Sequence, residues 1–224
     1  TSRGEQDPVE IVDCLERMEI NVLFVIGGDG TLRGAQAISR EVEARGAKVA
    51  VVGIPKTIDN DISFIDQSFG FQTAFSVAAE VIRAAHVEAK AAPNGVGLVK
   101  VMGRHCGFIA CYASLAHNDA NFVLIPEVPF RLDGPGGFLE VLRKRVVRSG
   151  HAVIVVAEGA GQNLLTGSGE TDASGNARLS DVGVFLKDQI TKAFAAAGTE
   201  LNLKYIDPSY YVRSVRANPF DSVY

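Results

Sequence analysis

One segment constrains the fold more than any other. Residues 22–26 form an unbroken apolar run, Gly27-Gly28-Asp29-Gly30-Thr31 follows at once, and Leu32, Ala35, Ile38 and Val42 then recur at helical spacing. Such a run reads as a strand covered on both faces, turning sharply into a helix. Further strands are predicted over residues 48–52, 96–101, 122–125 and 152–157. Helices are predicted from Asp7-Pro8, which reads as N-cap and first helical residue, and over 71–92, with others near 107–117 and 135–149. This alternation implies an α/β fold: a doubly wound, mostly parallel sheet with helices on both faces, plus part of a second, smaller α/β domain. The boundary is expected near Pro126, giving domains 1–125 and 126–224. Residues 166–177, rich in Gly, Ser, Thr and Asp, read as an exposed loop.

Composition removes several classes of function. At 47% apolar and 21% charged residues the chain is not of the disordered kind. Twenty-two Lys and Arg against 26 Asp and Glu give a net charge of −4, so nucleic acid is not an expected partner. No apolar run approaches the ~20 residues of a membrane span, and no membrane partner is expected. Cys14, Cys106 and Cys111 are odd in number and lack metal spacing, as in a reducing, cytosol-like compartment. The start at Thr1 and the abrupt end at Tyr224 suggest a fragment of a longer protein.

In parallel α/β sheets ligands bind beyond the carboxyl ends of the strands, so the loops that follow strands carry the chemistry. In the first, Gly27, Gly28 and Gly30 allow close approach to a phosphate, and Asp29 suits a magnesium ion near phosphates. The second, Pro55-Lys56-Thr57-Ile58-Asp59-Asn60-Asp61, offers a base beside a cation. The third is Met102-Gly103-Arg104-His105-Cys106-Gly107, where Arg104 and the following helix end can face one anion. His105 and Cys106 are adjacent at a helix start, so their side chains diverge and form no dyad. Glu127 and Glu158 each follow a strand; Glu158 reads as a ligand for sugar hydroxyls and Glu127 as structural. Lys204, Tyr210 and Arg213 could hold a sugar phosphate or form a solvated face.

Together, Gly-Gly-Asp-Gly-Thr, Pro-Lys-Thr-Ile-Asp-Asn-Asp, Met-Gly-Arg, Pro-Glu and Ala-Glu-Gly-Ala-Gly-Gln resemble the 6-phosphofructokinase family. Residues 201–213 look most like its plant, algal and kinetoplastid ATP-dependent branch. The resemblance implies transfer of a phosphoryl group from Mg-ATP to the 1-hydroxyl of fructose 6-phosphate, giving fructose 1,6-bisphosphate in glycolysis. It implies a nucleotide site lined by Arg3, Gly4, Gly27, Gly28, Asp29 and Gly30, with Asp29 on Mg2+. Asp59 would be the base and Arg104 would stabilise phosphoryl charge. Thr57, Ile58, Met102, Gly103, Glu158, Tyr211 and Val212 would contact substrate, while Lys204, Tyr210 and Arg213 would hold its 6-phosphate. It also implies an allosteric homo-oligomer, a tetramer or a dimer, in the cytoplasm; a plastid or other organellar form stays open, since a transit peptide would precede Thr1.

Two departures accompany the resemblance. The family's first strand and glycine-rich loop would lie before Thr1. Gly95 stands where bacterial members carry an arginine that reaches a neighbouring subunit. Donor choice rests on Gly30 and Lys56. Pyrophosphate-dependent relatives usually have an aspartate at the first position, filling the space of the α-phosphate, and a lysine at the second. Gly30 leaves that space open, which favours ATP, with pyrophosphate as the alternative. NAD and diacylglycerol kinases share only the first motif. A non-catalytic sugar-phosphate-binding subunit is a more distant alternative, disfavoured by the intact Asp29, Asp59 and Arg104.

Overall fold

The computed structural model describes residues 7–165 and 178–224. Arg3, Gly4 and the 166–177 segment lie outside the described residues. Those described group into one compact unit over 7–69 with Arg178 and a second over 70–165 with 179–224.

The first unit begins as its sequence dictates. Asp7 accepts the Val9 N–H at 2.9 Å, and Pro8 opens α1 (Pro8–Arg17), where no N–H is needed. β1 (Val22–Gly27), α2 (Asp29–Arg45) and β2 (Ala50–Pro55) follow, with β1 and β2 paired in parallel. Val12 and Leu15 of α1 and Ile38 and Val42 of α2 form a core against Leu23 and Val51. Burial alternates along β1, and Val22, Phe24 and Ile26 are 45%, 61% and 59% exposed. The expectation that this strand is covered on both faces is therefore corrected. The two helices cover one face, and successive side chains point to opposite faces. Lys48 and Val49, expected in the second strand, precede it.

The second unit holds α3 (Phe71–Ala91), β3 (Gly95–Val101), α4 (Phe108–His117), β4 (Phe122–Leu124), α5 (Phe138–Ser149) and β5 (His151–Ala157). It continues with α6 (Val182–Ala196), β6 (Asn202–Ile206), α7 (Ser209–Val212) and α8 (Pro219–Val223). Its four strands are parallel in the order β4-β5-β3-β6. Helices lie on both faces. Val96, Leu98 and Ile154 pack with Leu142 of α5 and Leu186, Ile190 and Phe194 of α6. On the opposite face β3 meets α3 so closely that a Cβ on Gly97 would lie 3.0 Å from the Ala85 carbonyl oxygen. Asp221 of α8 caps α3, accepting the Gly70 and Thr73 N–H groups at 3.0 and 2.7 Å. Among the described residues no helix is long and apolar enough to cross a membrane.

The strand order marks where a ligand site is expected. The chain leaves β3 through α4 and passes β5 to reach β4. It leaves β5 through α6, on the other face, and passes β3 to reach β6. Connections that depart from neighbouring strands in opposite directions open a crevice at the strands' carboxyl ends. The loops after β3 and β5 lie at that end of the sheet.

Candidate functional site

In the first unit the two predicted loops are joined. The Lys56 N–H donates to the Gly27 carbonyl at 2.8 Å, and a Cβ on Gly28 would lie 3.5 Å from the Lys56 carbonyl oxygen. Gly27 is tighter still: a Cβ there would fall 2.5 Å from the Thr31 hydroxyl oxygen. Gly28 precedes α2 and Asp29 is its first residue, exposed at the helix N-terminus. A Cβ on Gly30 would meet nothing within 4 Å, and Lys56 is exposed.

The second loop is held by its own polar groups. The Asp59 N–H donates to the Thr57 hydroxyl at 3.3 Å, and the Ser68 hydroxyl donates to the Thr57 carbonyl. The Ser68 N–H donates to Asn60 Oδ1 at 2.7 Å; Asn60 itself has φ of 57°, a left-handed conformation that asparagine tolerates. Ile58 and Asp59 are half-buried, and Asp59 Oδ1 is itself buried.

In the second unit the loops after β3 and β5 meet backbone to backbone. The Glu158 N–H donates to the Val101 carbonyl at 2.9 Å and the Gly159 N–H to the Gly103 carbonyl at 3.0 Å. A Cβ on Gly159 would lie 1.9 Å from the Arg104 carbonyl oxygen. Gly103 has φ of 132°, which side chains rarely adopt. Gln162 fastens the second loop, donating from Nε2 to the Glu158 carbonyl at 2.8 Å and the Ser180 carbonyl at 3.0 Å. Met102 and Arg104 are half-buried in the first. Burial raises the Glu158 carboxyl above the usual range, and the charges of Arg104 and Lys100 pull it back.

The Gly107 N–H at the start of α4 donates to Glu127 Oε1 at 2.8 Å. The start of this helix thus already has a carboxylate beside it. Glu127 is structural, as expected. His105 is exposed and Cys106 buried, and none of Cys14, Cys106 and Cys111 is in a disulfide.

Arg213 lies over the Tyr210 ring, 4.6 Å from its centre. Tyr211 is exposed and Val212 buried. Lys204 stands in the middle of β6, exposed and opposite Gly97, rather than on α7. Gly95 is buried, and a Cβ there would lie 1.9 Å from the Ala89 carbonyl oxygen, so no side chain of any length fits. Sequence reasoning passed over Lys100, Asp181 and Asp207, which form an ion-paired group at the carboxyl end of this sheet.

The donor set suits magnesium used with phosphates. Among the described residues no three His, Cys, Asp or Glu side chains cluster to hold a metal by themselves. Asp29 offers a single exposed carboxylate at a helix N-terminus, and magnesium commonly takes one or two carboxylates beside substrate phosphates.

The phosphofructokinase family profile matches residues 1–224. Over its whole length the chain is 54% identical to an ATP-dependent 6-phosphofructokinase of Amycolatopsis methanolica, covering 50% of that protein. It is 53% identical to ATP-dependent 6-phosphofructokinase 7 of Arabidopsis thaliana, covering 47% of it. The fold is similar to the crystal structure of a pyrophosphate-dependent phosphofructokinase from Marinobacter aquaeolei, with a TM-score of 0.72 and 25% identity, covering 96% of this chain and 51% of that one. The chain thus spans about half the length of these relatives. Its loops keep the motifs in family order and the profile covers every residue, so the chain belongs to the phosphofructokinase family.

Proposed function

We propose that the full-length protein transfers the γ-phosphoryl group of Mg-ATP to the 1-hydroxyl of fructose 6-phosphate. The observation that carries this reading is the joining of the Gly27–Gly28 turn to the Lys56–Thr57 turn, which sets a phosphate-type loop beside the loop bearing Asp59. Asp59 accepts the proton of the 1-hydroxyl as that oxygen bonds to the γ-phosphorus and the bond to the β-bridging oxygen breaks. ADP and fructose 1,6-bisphosphate leave. Arg104 stabilises the charge spread over the transferring group, since such reactions rest on positioning and charge stabilisation. Asp29 would hold magnesium, which would neutralise nucleotide phosphate charge. Gly27, Gly28 and Gly30 line the nucleotide, and Thr57, Ile58, Met102 and Gly103 flank the reacting groups. Glu158 takes sugar hydroxyls, and Lys204 with Tyr210, Tyr211, Val212 and Arg213 takes the 6-phosphate end, Val212 through its backbone.

ATP is the donor in this reading. The space beside Gly30 is open, and the relatives at 54% and 53% identity are named for ATP, whereas the pyrophosphate-dependent protein is at 25%. Asp59→Asn in the full-length protein tests the mechanism. The amide keeps the shape and loses the base, so kcat should fall by on the order of 10²–10⁴, with KM for either substrate little changed. A variant that keeps most of its turnover would remove Asp59 from the reaction.

A further inference from the structure

Lys100 is the one charge in β3, whose other residues are apolar or glycine, and only 12% of its side chain is exposed. A buried ammonium is costly unless paired and hydrogen-bonded. Here it has two partners from distant parts of the chain. Its Nζ lies 3.0 Å from Asp181 Oδ2 and 2.8 Å from Asp207 Oδ2.

Each aspartate divides its oxygens between two tasks. Asp181 is the N-cap of α6: its Oδ1 accepts the Val184 N–H at 3.0 Å and the Tyr205 hydroxyl at 3.2 Å. Gly183 makes room for that tyrosine, since a Cβ there would fall 2.4 Å from the Tyr205 hydroxyl oxygen. Asp207 follows β6, and its Oδ1 accepts both the N–H and the hydroxyl of Ser209, at 3.1 and 2.5 Å, where α7 begins. The Oδ1 atoms hold the starts of α6 and α7, and the Oδ2 atoms tie both to the central strand through Lys100.

α7 needs such a tie. A four-residue helix cannot hold its own shape, because nucleation costs more than one turn returns. Val212 anchors it from below, at 1% exposure, and Asp207 fixes its start. Tyr210 and Arg213 project from the piece so fixed. Lys100 also acts on Glu158, where its charge opposes the effect of burial and favours the carboxylate. Without Lys100, Asp181, Asp207 and Glu158 would lose a positive charge that they share, a change unfavourable to a nearby sugar phosphate.

We propose that Lys100 is the positioning residue of the sugar-phosphate subsite, setting affinity for fructose 6-phosphate through α7 and Glu158 while touching neither substrate. The proposal rests on the function given above. It predicts that Lys100→Met in the full-length protein raises KM for fructose 6-phosphate about tenfold or more, with kcat and KM for ATP within about threefold, the signature of lost binding common to ground and transition states. Lys100→Arg, which can still bridge two carboxylates, should recover most of the loss. Asp207→Asn, at a half-exposed side chain, should reproduce it even if Lys100→Met fails to fold. Hydrogen exchange gives a readout independent of activity: amides of residues 209–212 should exchange faster in Lys100→Met or Asp207→Asn, with those of β3 and β5 unchanged. Faster exchange at α7 supports the tie even if the wild-type protein does not phosphorylate fructose 6-phosphate, in which case the proposed function alone fails. Unchanged exchange at α7, an unchanged KM for fructose 6-phosphate in both variants, or equal losses in every kinetic constant would overturn it.

Discussion

Residues 22–26 and 152–157 are runs of the same kind, apolar, β-branched and ended by a glycine-bearing loop, yet the two strands live differently. In β5 every residue after His151 is buried, with helices above and below. In β1 alternate residues are open, and Phe24 is 61% exposed. The run specifies a strand and its carboxyl-end loop. The number of layers that cover it depends on what other segments supply. The residues of the proposed mechanism divide between the units as well: the glycine loop and Asp59 belong to the first, while Arg104, Glu158 and the Lys100 network belong to the second.

Core truncation should separate the units most strongly. Ile154→Ala removes a fully buried side chain between two helical layers and should cost about 2–5 kcal/mol in denaturant unfolding. Phe24→Ala, on the open face, should cost under about 1 kcal/mol. Equal losses would mean that β1 is covered after all in the full-length protein, and the contrast would dissolve.

A glycine pair sharpens the comparison at the loops. Gly159→Ala forces a methyl group against the Arg104 carbonyl and should cost about 1–3 kcal/mol, with loss of activity. Gly30→Ala, with open space around it inside α2, should be neutral or stabilise by up to about 1 kcal/mol. Comparable melting temperatures for the two variants would contradict the close approach of the second unit's loops.

The smallest effect is one of pH. Burial works against the charged forms of Asp181 and Asp207, but the Val184 N–H and Lys100 for the first, and Lys100 and Ser209 for the second, hold both below the ordinary value of 3.8. A carboxyl group held lower in the folded state contributes stability above its unfolded value, and that contribution is lost as pH falls through the folded value. Stability should therefore decline below about pH 4, and Asp207→Asn should flatten that decline. An acid limb unchanged in the variant would remove the pair from the pH response.

Much of this was legible from local pattern. Asp7-Pro8 announced α1, and the continuous runs at 96–101 and 152–157 announced the central strands, because a strand buried on both faces leaves no polar alternation. β6 was missed because Asn202-Leu203-Lys204-Tyr205-Ile206 is a short edge strand whose alternation looks like a solvated segment. α6 carried its signal, with Asp181 as cap and Leu186, Ile190 and Phe194 at intervals of four, but its place beside the glycine-rich 166–177 stretch obscured it. Glu127 and Glu158 both follow a strand, and what each one meets, a helix N-terminus for the first and a neighbouring loop for the second, came only from the structure. Lys100 was visible as a lone cation in an apolar strand, a residue that must be paired. Its partners, 81 and 107 residues away, were not, because sequence spacing says nothing of which strand ends become neighbours.

The central claim is that the full-length protein phosphorylates fructose 6-phosphate from ATP. Phosphorus NMR of fructose 6-phosphate with magnesium, and with ATP or pyrophosphate in parallel, follows donor loss and product formation together. The account predicts that the 1-phosphate of fructose 1,6-bisphosphate grows as the γ-phosphate of ATP disappears, and that pyrophosphate gives none. Faster product formation from pyrophosphate, or none from either donor, would contradict it.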